Sequence, residues 1–322
     1  MRIVVLHSDV AADAPPDELD TLVAAQGVAA ALMARGHVAM QTPFVPDPQE
    51  LKARLAGADL VFNLVESVFG QDDLAALAPA MLERLGVAYT GSAAAALALT
   101  ADKPASKRIL RAAQLPTPDW TEAPEWRGLR DGTRYIVKSA TADASIGLDD
   151  GAVVSGAVAV RARARKSTAE HGGRWFAEAY VEGREFNVAL LEEAGNLRVL
   201  PVAEMCFSGW TADRPKIVGY AAKWDDASED AVKTVRAFGV EKDQPALDRR
   251  LRALAMEAWR LFGLAGYARV DFRVDETGAP IILEINPNPC LEHGAGYAAA
   301  AREAGYTYDA LIEQIVHAAL RD

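Results

Sequence analysis

The segment from Ala268 to Cys290 concentrates residues able to do chemistry. It reads Ala268-Arg-Val-Asp-Phe-Arg-Val274, then Asp275-Glu-Thr-Gly278, then Pro280-Ile-Ile-Leu-Glu-Ile-Asn-Pro-Asn-Pro289. Two β-type runs flank a turn signal, which predicts a hairpin. Side chains alternate faces along a strand, so Arg269 shares a face with Asp271, and Glu284 with Asn286. The hairpin can gather two carboxylates, an amide oxygen and a guanidinium on one patch. The hard oxygen donors Asp271, Glu284 and Asn286 suit Mg²⁺, which binds through a few carboxylates plus substrate phosphates. The alternative is a surface hairpin with scattered charges. Against it, Glu284 stands inside the apolar run Ile-Ile-Leu-Glu-Ile, where a carboxylate needs a partner or a metal.

The elements that must position this patch are legible in outline. Ile3 to Leu6 and Leu60 to Leu64 are short apolar runs, as expected of buried parallel strands. Val38 to Thr42 reads as a third strand and Val87 to Thr90 as a fourth. Helical patterns cover Asp17 to Arg35, Pro48 to Ala56 and Asp72 to Leu85. Strands alternating with helices predict an open parallel sheet, whose ligands sit beyond the carboxyl ends of its strands. Two prolines at 116 and 118 mark a boundary. Beyond it, Tyr135-Ile-Val-Lys-Ser139 reads as strand, Thr141 to Gly147 as a small-residue loop, and the stretch with Arg161, Arg163, Arg165 and Lys166 as helix. Later β runs are Glu185 to Leu191 and Leu197 to Val202, and later helices Ala246 to Phe262 and Tyr308 to Leu320. Asp225 to Asp230 reads as a solvated acidic loop, and Ala93 to Ala98 as a low-complexity run.

Composition narrows the class. The 322 residues predict two domains or three small ones at roughly 150 residues each. The net charge of −11 argues against nucleic-acid and membrane-surface partners, which usually meet net positive charge. Two cysteines, Cys206 and Cys290, make no disulfide framework, so a reducing cytoplasm is expected. No apolar stretch is long enough for a signal segment or a membrane span. The five histidines have no metal spacing, and no Ser-His-Asp or Cys-His set stands out.

Taken in order, these segments resemble the ATP-grasp superfamily, and within it the D-alanine–D-alanine ligase group, over nearly the whole chain. Tyr89-Thr-Gly-Ser92, Thr100-Ala-Asp-Lys103, Lys107 and Leu115-Pro-Thr-Pro118 are similar to the stretch joining that family's first two domains. Val137-Lys138 and the loop to Gly147 resemble its phosphate-covering loop. Glu178-Ala-Tyr-Val-Glu-Gly-Arg-Glu185 resembles its adenine and ribose hinge. Lys223 sits where the family has a lysine in a flexible loop. Arg269, Asp271, Glu284 and Asn286 match its oxyanion and magnesium cluster.

The resemblance implies an α/β (α+β) three-domain architecture, with an N-terminal parallel-sheet domain (1–116), a central lid (117–181) and a C-terminal domain (182–322). ATP would lie between the last two, with one or two Mg²⁺ ions for which Mn²⁺ can substitute. Lys103, Lys138 and Lys223 would meet phosphates, and Ser145, Ile146 and Gly147 would cover them. Glu178, Ala179, Tyr180 and Glu185 would take the base and ribose, and Arg269 would be the catalytic oxyanion residue. The implied reaction joins a small-molecule carboxylate to an amine through an acylphosphate. A homodimer is expected by analogy alone.

The amino-acid-specific parts depart from the family. Its first loop serine falls on Ala144 and its tyrosine on Trp224; the Gly-Gly-x-Ser-x-Glu pattern is absent, and Pro289-Cys290 and Ala295 replace its substrate-carboxylate residues. A different amino acid or a specialised metabolite is therefore the expected substrate. D-Ala–D-Ala synthesis, and ATP binding without ligation, are the alternatives. Asn63, Glu66, Ser67, Trp224, Asn288 and His293 are candidates for substrate contact, with a plain polar turn as the other reading of the first three.

Overall fold

The computed structural model describes residues 1–211 and 214–320. Its first sheet is parallel, with β1 (Arg2–His7) between β2 (Val38–Pro43) and β3 (Leu60–Leu64). Crossovers run through α1 (Pro16–Ala34) and α2 (Pro48–Arg54). Asp47 caps α2 by accepting hydrogen bonds from the Gln49 and Glu50 N–H groups at 2.9 and 2.8 Å. Alternate residues of β1 enter different cores. Ile3 and Val5 pack with α1; Val4 and Leu6 pack with α2 and α3 (Leu77–Leu85). That two-sided burial is why β1 reads as an unbroken apolar run.

Two expectations need correction here. The helix foreseen over 72–85 is a short 3₁₀ turn at Asp72–Leu74 followed separately by α3. The strand foreseen at 87–90 is reduced to a single parallel bridge between Val61 and Tyr89. The alanine-rich run beyond it is helical, as α4 (Ala94–Ala101), in keeping with alanine's propensity. Next, α5 (Lys103–Ala112) starts at an Asp102 cap, which accepts from Ala105 N–H at 2.8 Å.

The second sheet is antiparallel, in the order β4 (Trp120–Glu122), β7 (Trp175–Ala179), β5 (Arg134–Ser139), β6 (Val153–Ser155). One face is covered by α6 (Gly156–His171), whose Val160 and Ala164 pack on Val137, Trp175 and Ala177.

The third sheet comprises β8 (Arg184–Glu193), β9 (Asn196–Val199), β10 (Ala203–Phe207), β11 (Thr234–Ala237), β12 (Tyr267–Val274) and β13 (Pro280–Asn286), with central order β11-β10-β8-β12-β13. Between β10 and β11 lie two short helices, α7 (Tyr220–Trp224) and α8 (Glu229–Lys233). The acidic stretch at 225–230 is thus helical at its end, and Asp230 pairs with Arg214 at 2.6 Å. After α9 (Val240–Asp243), α10 (Pro245–Phe262) covers one face of the sheet through Leu251, Ala255 and Phe262. The last helices, α11 (Gly296–Glu303) and α12 (Tyr308–Ala319), return to share a core with α1, β1 and β3.

The foreseen hairpin is β12–β13, pairing Arg269 with Asn286 and Asp271 with Glu284. A register shift after Asp271 leaves Leu283 as an extra residue, and its carbonyl accepts a hydrogen bond from Lys107 Nζ at 3.3 Å. Among the described residues no helix is long and apolar enough to cross a membrane.

Candidate functional site

The polar face of the third sheet carries the hairpin cluster. Arg269 donates to both oxygens of Asp271, at 2.7 and 2.8 Å, and this fork fixes the guanidinium plane. Asn187 of β8, opposite Asp271 in register, donates to Oδ1 at 2.8 Å. Asn286 Oδ1 accepts from Asn288 N–H at 2.9 Å. Asn288 also accepts from Tyr267 Oη at 2.6 Å and donates to the Val65 carbonyl at 3.2 Å, tying the hairpin to the first sheet. Glu284 has no hydrogen-bond partner among the described residues. Burial works against its charge, but Lys103, Lys138, Arg269 and Lys223 outweigh burial and hold its carboxyl at about 2.

A second carboxylate organises the lysines. Glu178 is fully buried, 2.5 Å from Lys107 Nζ and 2.6 Å from Lys138 Nζ. Burial opposes its ionisation, yet the two ammonium groups hold it below the usual carboxylate range. Lys107, also buried, donates to Thr117 Oγ1 at 3.1 Å, and burial lowers its pKa. Lys103 donates to Asp143 Oδ1 at 2.7 Å and to the Ala142 carbonyl at 2.9 Å.

The segment after β7 is held by Arg273. This buried arginine donates to the carbonyls of Val181, Gly183 and Lys216 at 3.1, 3.0 and 2.7 Å, and reaches Glu185 at 3.4 Å. Gly183, at φ +134°, lies so close to the Val274 carbonyl that a side chain would collide. Ala179 N–H donates to the Asp119 carbonyl at 2.8 Å. Tyr180 Oη accepts from Lys216 N–H at 2.9 Å, and its ring lies under Arg134. Burial raises the Glu185 carboxyl above its ordinary value.

The loop from Thr141 to Gly147 is held from four sides. Ser139 Oγ accepts from Ala142 N–H at 2.9 Å, and Asp72 accepts from Asp143 N–H at 2.8 Å. Ser145 donates to the Val218 carbonyl at 2.9 Å, and Trp224 Nε1 to the Ala144 carbonyl at 2.9 Å. Ala144 and Ser145 are left-handed, at φ 56° and 63°, which costs about 1 kcal/mol or more each unless the surroundings impose it. Ile146 N–H closes a turn onto the Asp143 carbonyl at 3.2 Å. Gly147 has φ +66°, and a Cβ there would lie 2.5 Å from the Trp175 ring. The segment opposite, α7, also reaches α1: Tyr220 Oη donates to Asp17 at 2.5 Å. Burial and Asp17 push the Tyr220 hydroxyl up to about 12.

At the carboxyl end of β3, Ser8 Oγ accepts from both Glu66 N–H and Ser67 N–H at 3.0 Å. Asn63 Oδ1 accepts from Val65 N–H at 3.3 Å. These contacts make the segment a polar turn that leaves the Glu66 carboxyl without a hydrogen bond among the described residues. Burial, then Asp20, Asp72 and Asp143, push that carboxyl up to about 8. Cys290 donates to Asp20 at 2.9 Å, and burial raises its thiol well above normal, so it is no thiolate nucleophile. His293 is exposed and stacks on Tyr308 of α12, with ring centroids 3.7 Å apart.

Residues 129–317, more than half of the chain, match the family model described as D-ala D-ala ligase C-terminus. The chain belongs to the D-alanine–D-alanine ligase family. An uncharacterised protein of Sinorhizobium fredii, y4sG, is 34% identical over 86% of this chain and 77% of its own. The D-alanine–D-alanine ligase of Cupriavidus necator is 31% identical over 94% of this chain and 88% of its own. The D-alanine–D-alanine ligase of Bacillus anthracis, solved in complex with ATP, superposes with a TM-score of 0.77 at 20% identity, covering 100% and 98% of the two chains. The protein is thus an enzyme with the ATP-grasp fold, a D-Ala–D-Ala ligase-like ligase.

Among the described residues no three His, Cys, Asp or Glu side chains form a metal cage. Asp271, Glu284 and Asn286 instead offer an ionised carboxylate with no hydrogen bond and two further oxygens with spare lone pairs. That incomplete hard-oxygen set fits a divalent ion whose other ligands are phosphate oxygens and water. Asn187, Arg273, Ser8, Asp72 and Tyr220 escaped the sequence reading. For Arg273 a signal existed, since it alternates with Arg269 and Asp271 on one strand face.

Proposed function

We propose that this ligase is an ATP-dependent carboxylate–amine ligase, forming an amide or peptide bond through an acylphosphate, on an amino acid or specialised metabolite other than D-alanine. The observation that carries the substrate reading is the pair of bonds Tyr220–Asp17 and Trp224–Ala144. They stand where the family resemblance implies a serine–tyrosine–glutamate triad, and a site that reads substrates by hydrogen bonds is sensitive to such changes.

In this reading a substrate carboxylate takes the γ-phosphoryl group of ATP; the amine then attacks the acyl carbon and phosphate leaves. The protein's part is positioning and electrostatics. Lys103, Lys138 and Lys223 neutralise phosphates, and Ser145, Ile146 and Gly147 cover them. Ala179 and Tyr180 flank the base, Glu178 holds Lys138 in place, and Glu185 takes the ribose. Asp271, Glu284 and Asn286 hold one or two Mg²⁺ ions, replaceable by Mn²⁺, which supply charge neutralisation to the phosphates. Arg269, oriented by Asp271, stabilises the oxyanion at the acyl carbon. Asn63, Glu66, Ser67, Trp224, Asn288 and His293 form the substrate side. The divisions at 1–116, 117–181 and 182–322 make the middle unit a lid that excludes water. The setting is cytoplasmic, with small-molecule partners, no nucleic acid or membrane, and by family analogy a homodimer.

Synthesis of D-Ala–D-Ala itself is the second reading, favoured by the names of the relatives in Cupriavidus. Phosphate release from Mg-ATP across a panel of amino acids, singly and in pairs, separates the two. Release only with an acid or pair other than D-alanine is the expected result. The dipeptide D-Ala–D-Ala as the main product would overturn the substrate reading.

A further inference from the structure

Helix α6 carries Arg161, Arg163, Arg165 and Lys166, and one of them is unlike the rest. Arg161, Arg165 and Lys166 are exposed, whereas Arg163 is buried, at 7% exposure. Val160, Arg163, Ala164 and Ser167 make up a buried stripe at helical spacing. Arg163 therefore occupies a position that patterning would fill with an apolar residue. A guanidinium placed there is costly unless its donors are used. Arg163 spends them on the far end of the loop after β5. Its Nη2 donates to the Gly147 carbonyl at 2.7 Å and lies 2.9 Å from Asp149 Oδ1, and its Nη1 donates to Asp149 Oδ2 at 3.3 Å. Its Nε has no hydrogen-bond partner among the described residues.

The backbone at that end of the loop is fixed from several directions. Gly147 is left-handed, at φ +66°, and an added Cβ would meet Trp175 at 2.5 Å and His171 at 3.2 Å. Those rings press on its α-carbon, while Arg163 takes its carbonyl. The next carbonyl, of Leu148, accepts from Tyr220 N–H at 2.9 Å. Within the loop, the Ile146 and Leu148 N–H groups donate to the Asp143 and Ser145 carbonyls at 3.2 and 2.9 Å. The N–H between them, that of Gly147, has no acceptor among the described residues. A loop that holds a backbone N–H in place with no partner of its own offers it to an anion.

We propose that Arg163 is a positioning residue for phosphoryl transfer: from the buried side of α6 it fixes the Gly147 peptide, so that the free Gly147 N–H meets a phosphate of ATP. The identity of that ligand rests on the ligase reading above. Arg163 touches no substrate itself and acts through Gly147. Its pair with Asp149 sets the plane of the guanidinium, and the donor left over on Nη2 holds the carbonyl. A lysine would keep the charge but lose the planar fork that serves both partners at once.

The test compares ATP with adenosine on the full chain. Arg163→Met keeps the apolar stem and removes the donors; Asp149 is exposed, so its charge passes to water and no buried carboxylate is stranded. Ligand-observed NMR, which reads affinities into the millimolar range, gives both constants. Arg163→Met should bind Mg-ATP at least about tenfold more weakly than the wild type, the scale of a lost charged hydrogen bond, and bind adenosine equally well. Arg163→Lys should fall between the two. In phosphate release, the KM for Mg-ATP should rise while that of the second substrate stays the same. Equal weakening of ATP and adenosine would make Arg163 a mere support of its sheet and overturn the proposal, as would unchanged ATP affinity. If Arg163→Met does not fold, Arg163→Lys decides by the same comparison. A wild type that turns over, matched by Arg163→Met in every constant, refutes the proposal and leaves the ligase reading standing. A wild type that binds ATP but turns over no substrate sinks the ligase reading, and the ATP-to-adenosine comparison still decides the role of Arg163. A wild type that binds no ATP overturns both.

Discussion

At the scale of single residues, two carboxylates meet the same lysine with different consequences. Glu178 is fully buried between Lys107 and Lys138, so removing its charge leaves Lys107 in the interior without a counterion. Breaking a buried pair by deleting one partner costs about 3–5 kcal/mol. Glu178→Gln should therefore lower the midpoint of chemical unfolding sharply. Glu284 is only half-buried and holds no hydrogen bond; its role is to face cations. Glu284→Gln should melt close to the wild type yet lose at least about 100-fold in Mg-ATP turnover, the scale on which preorganised electrostatic groups act. Near-normal turnover would remove Glu284 from the proposed metal set. The same contrast separates Arg273 from Arg269. Arg273 spends its donors on three backbone carbonyls and is structural, whereas Arg269 is held by one carboxylate pair with its outer face toward the cluster.

Among elements, α7 is a helix of five residues that reaches three parts of the chain. Trp224 holds the Ala144 carbonyl, Tyr220 N–H holds the Leu148 carbonyl at 2.9 Å, and Tyr220 Oη holds Asp17. So short a helix has no stability of its own, and these tertiary bonds position it. Removing the Tyr220 hydroxyl leaves Asp17 without a hydrogen bond to a charged acceptor worth about 1.5–3 kcal/mol. Tyr220→Phe is expected to raise substrate KM roughly tenfold or more, to release phosphate without matching product, and to lower the melting temperature by a few degrees. Tight coupling of phosphate to product in that variant would mean the Tyr220–Asp17 bond does not hold the site closed. The β12–β13 hairpin is the opposite case. Its alternation and turn suffice to pair Asp271 with Glu284, and tertiary contacts only add the bulge at Leu283.

For the whole molecule, the parts converge on an acidic wall around Glu66. Asp20 comes from α1, Asp72 from the turn before α3, and Asp143 from the loop after β5. Burial and these neighbours raise Glu66 from 4.5 to about 8, and burial with Asp143 raises Asp72 from 3.8 to about 6. A carboxyl whose folded pKa is raised holds its proton more tightly when folded. Its stabilisation is complete below the unfolded value and is lost as pH rises through the folded one. The ligand-free protein should therefore lose thermal stability progressively from about pH 4.5 to about pH 8, and Glu66→Gln should flatten the upper part of that slope. A slope in Glu66→Gln identical to the wild type would show that Glu66 is not the titrating group. A cationic amine bound beside Glu66 would reduce the effect by favouring the ionised form.

The sequence by itself determined what depends on neighbours along the chain. Alternation placed Arg269 beside Asp271 and Glu284 beside Asn286, apolar runs marked β1 and β3 as buried on both faces, and the 3.6-residue pattern marked α1, α10 and α12. The order of motifs was enough for the family. Tertiary structure decided what depends on partners far apart in sequence. Lys107 and Lys138 share Glu178 only because α5, β5 and β7 pack together. Tyr220 meets Asp17 across 203 residues. Arg236 reaches the Gly294 carbonyl, 58 residues further along the chain, only because β11 is brought against the segment before α11, and a local pattern carries no record of such contacts. Short elements such as α7 and β11 escaped for the same reason: with four or five residues, periodicity has too few turns to register, and long-range hydrogen bonds hold them in place.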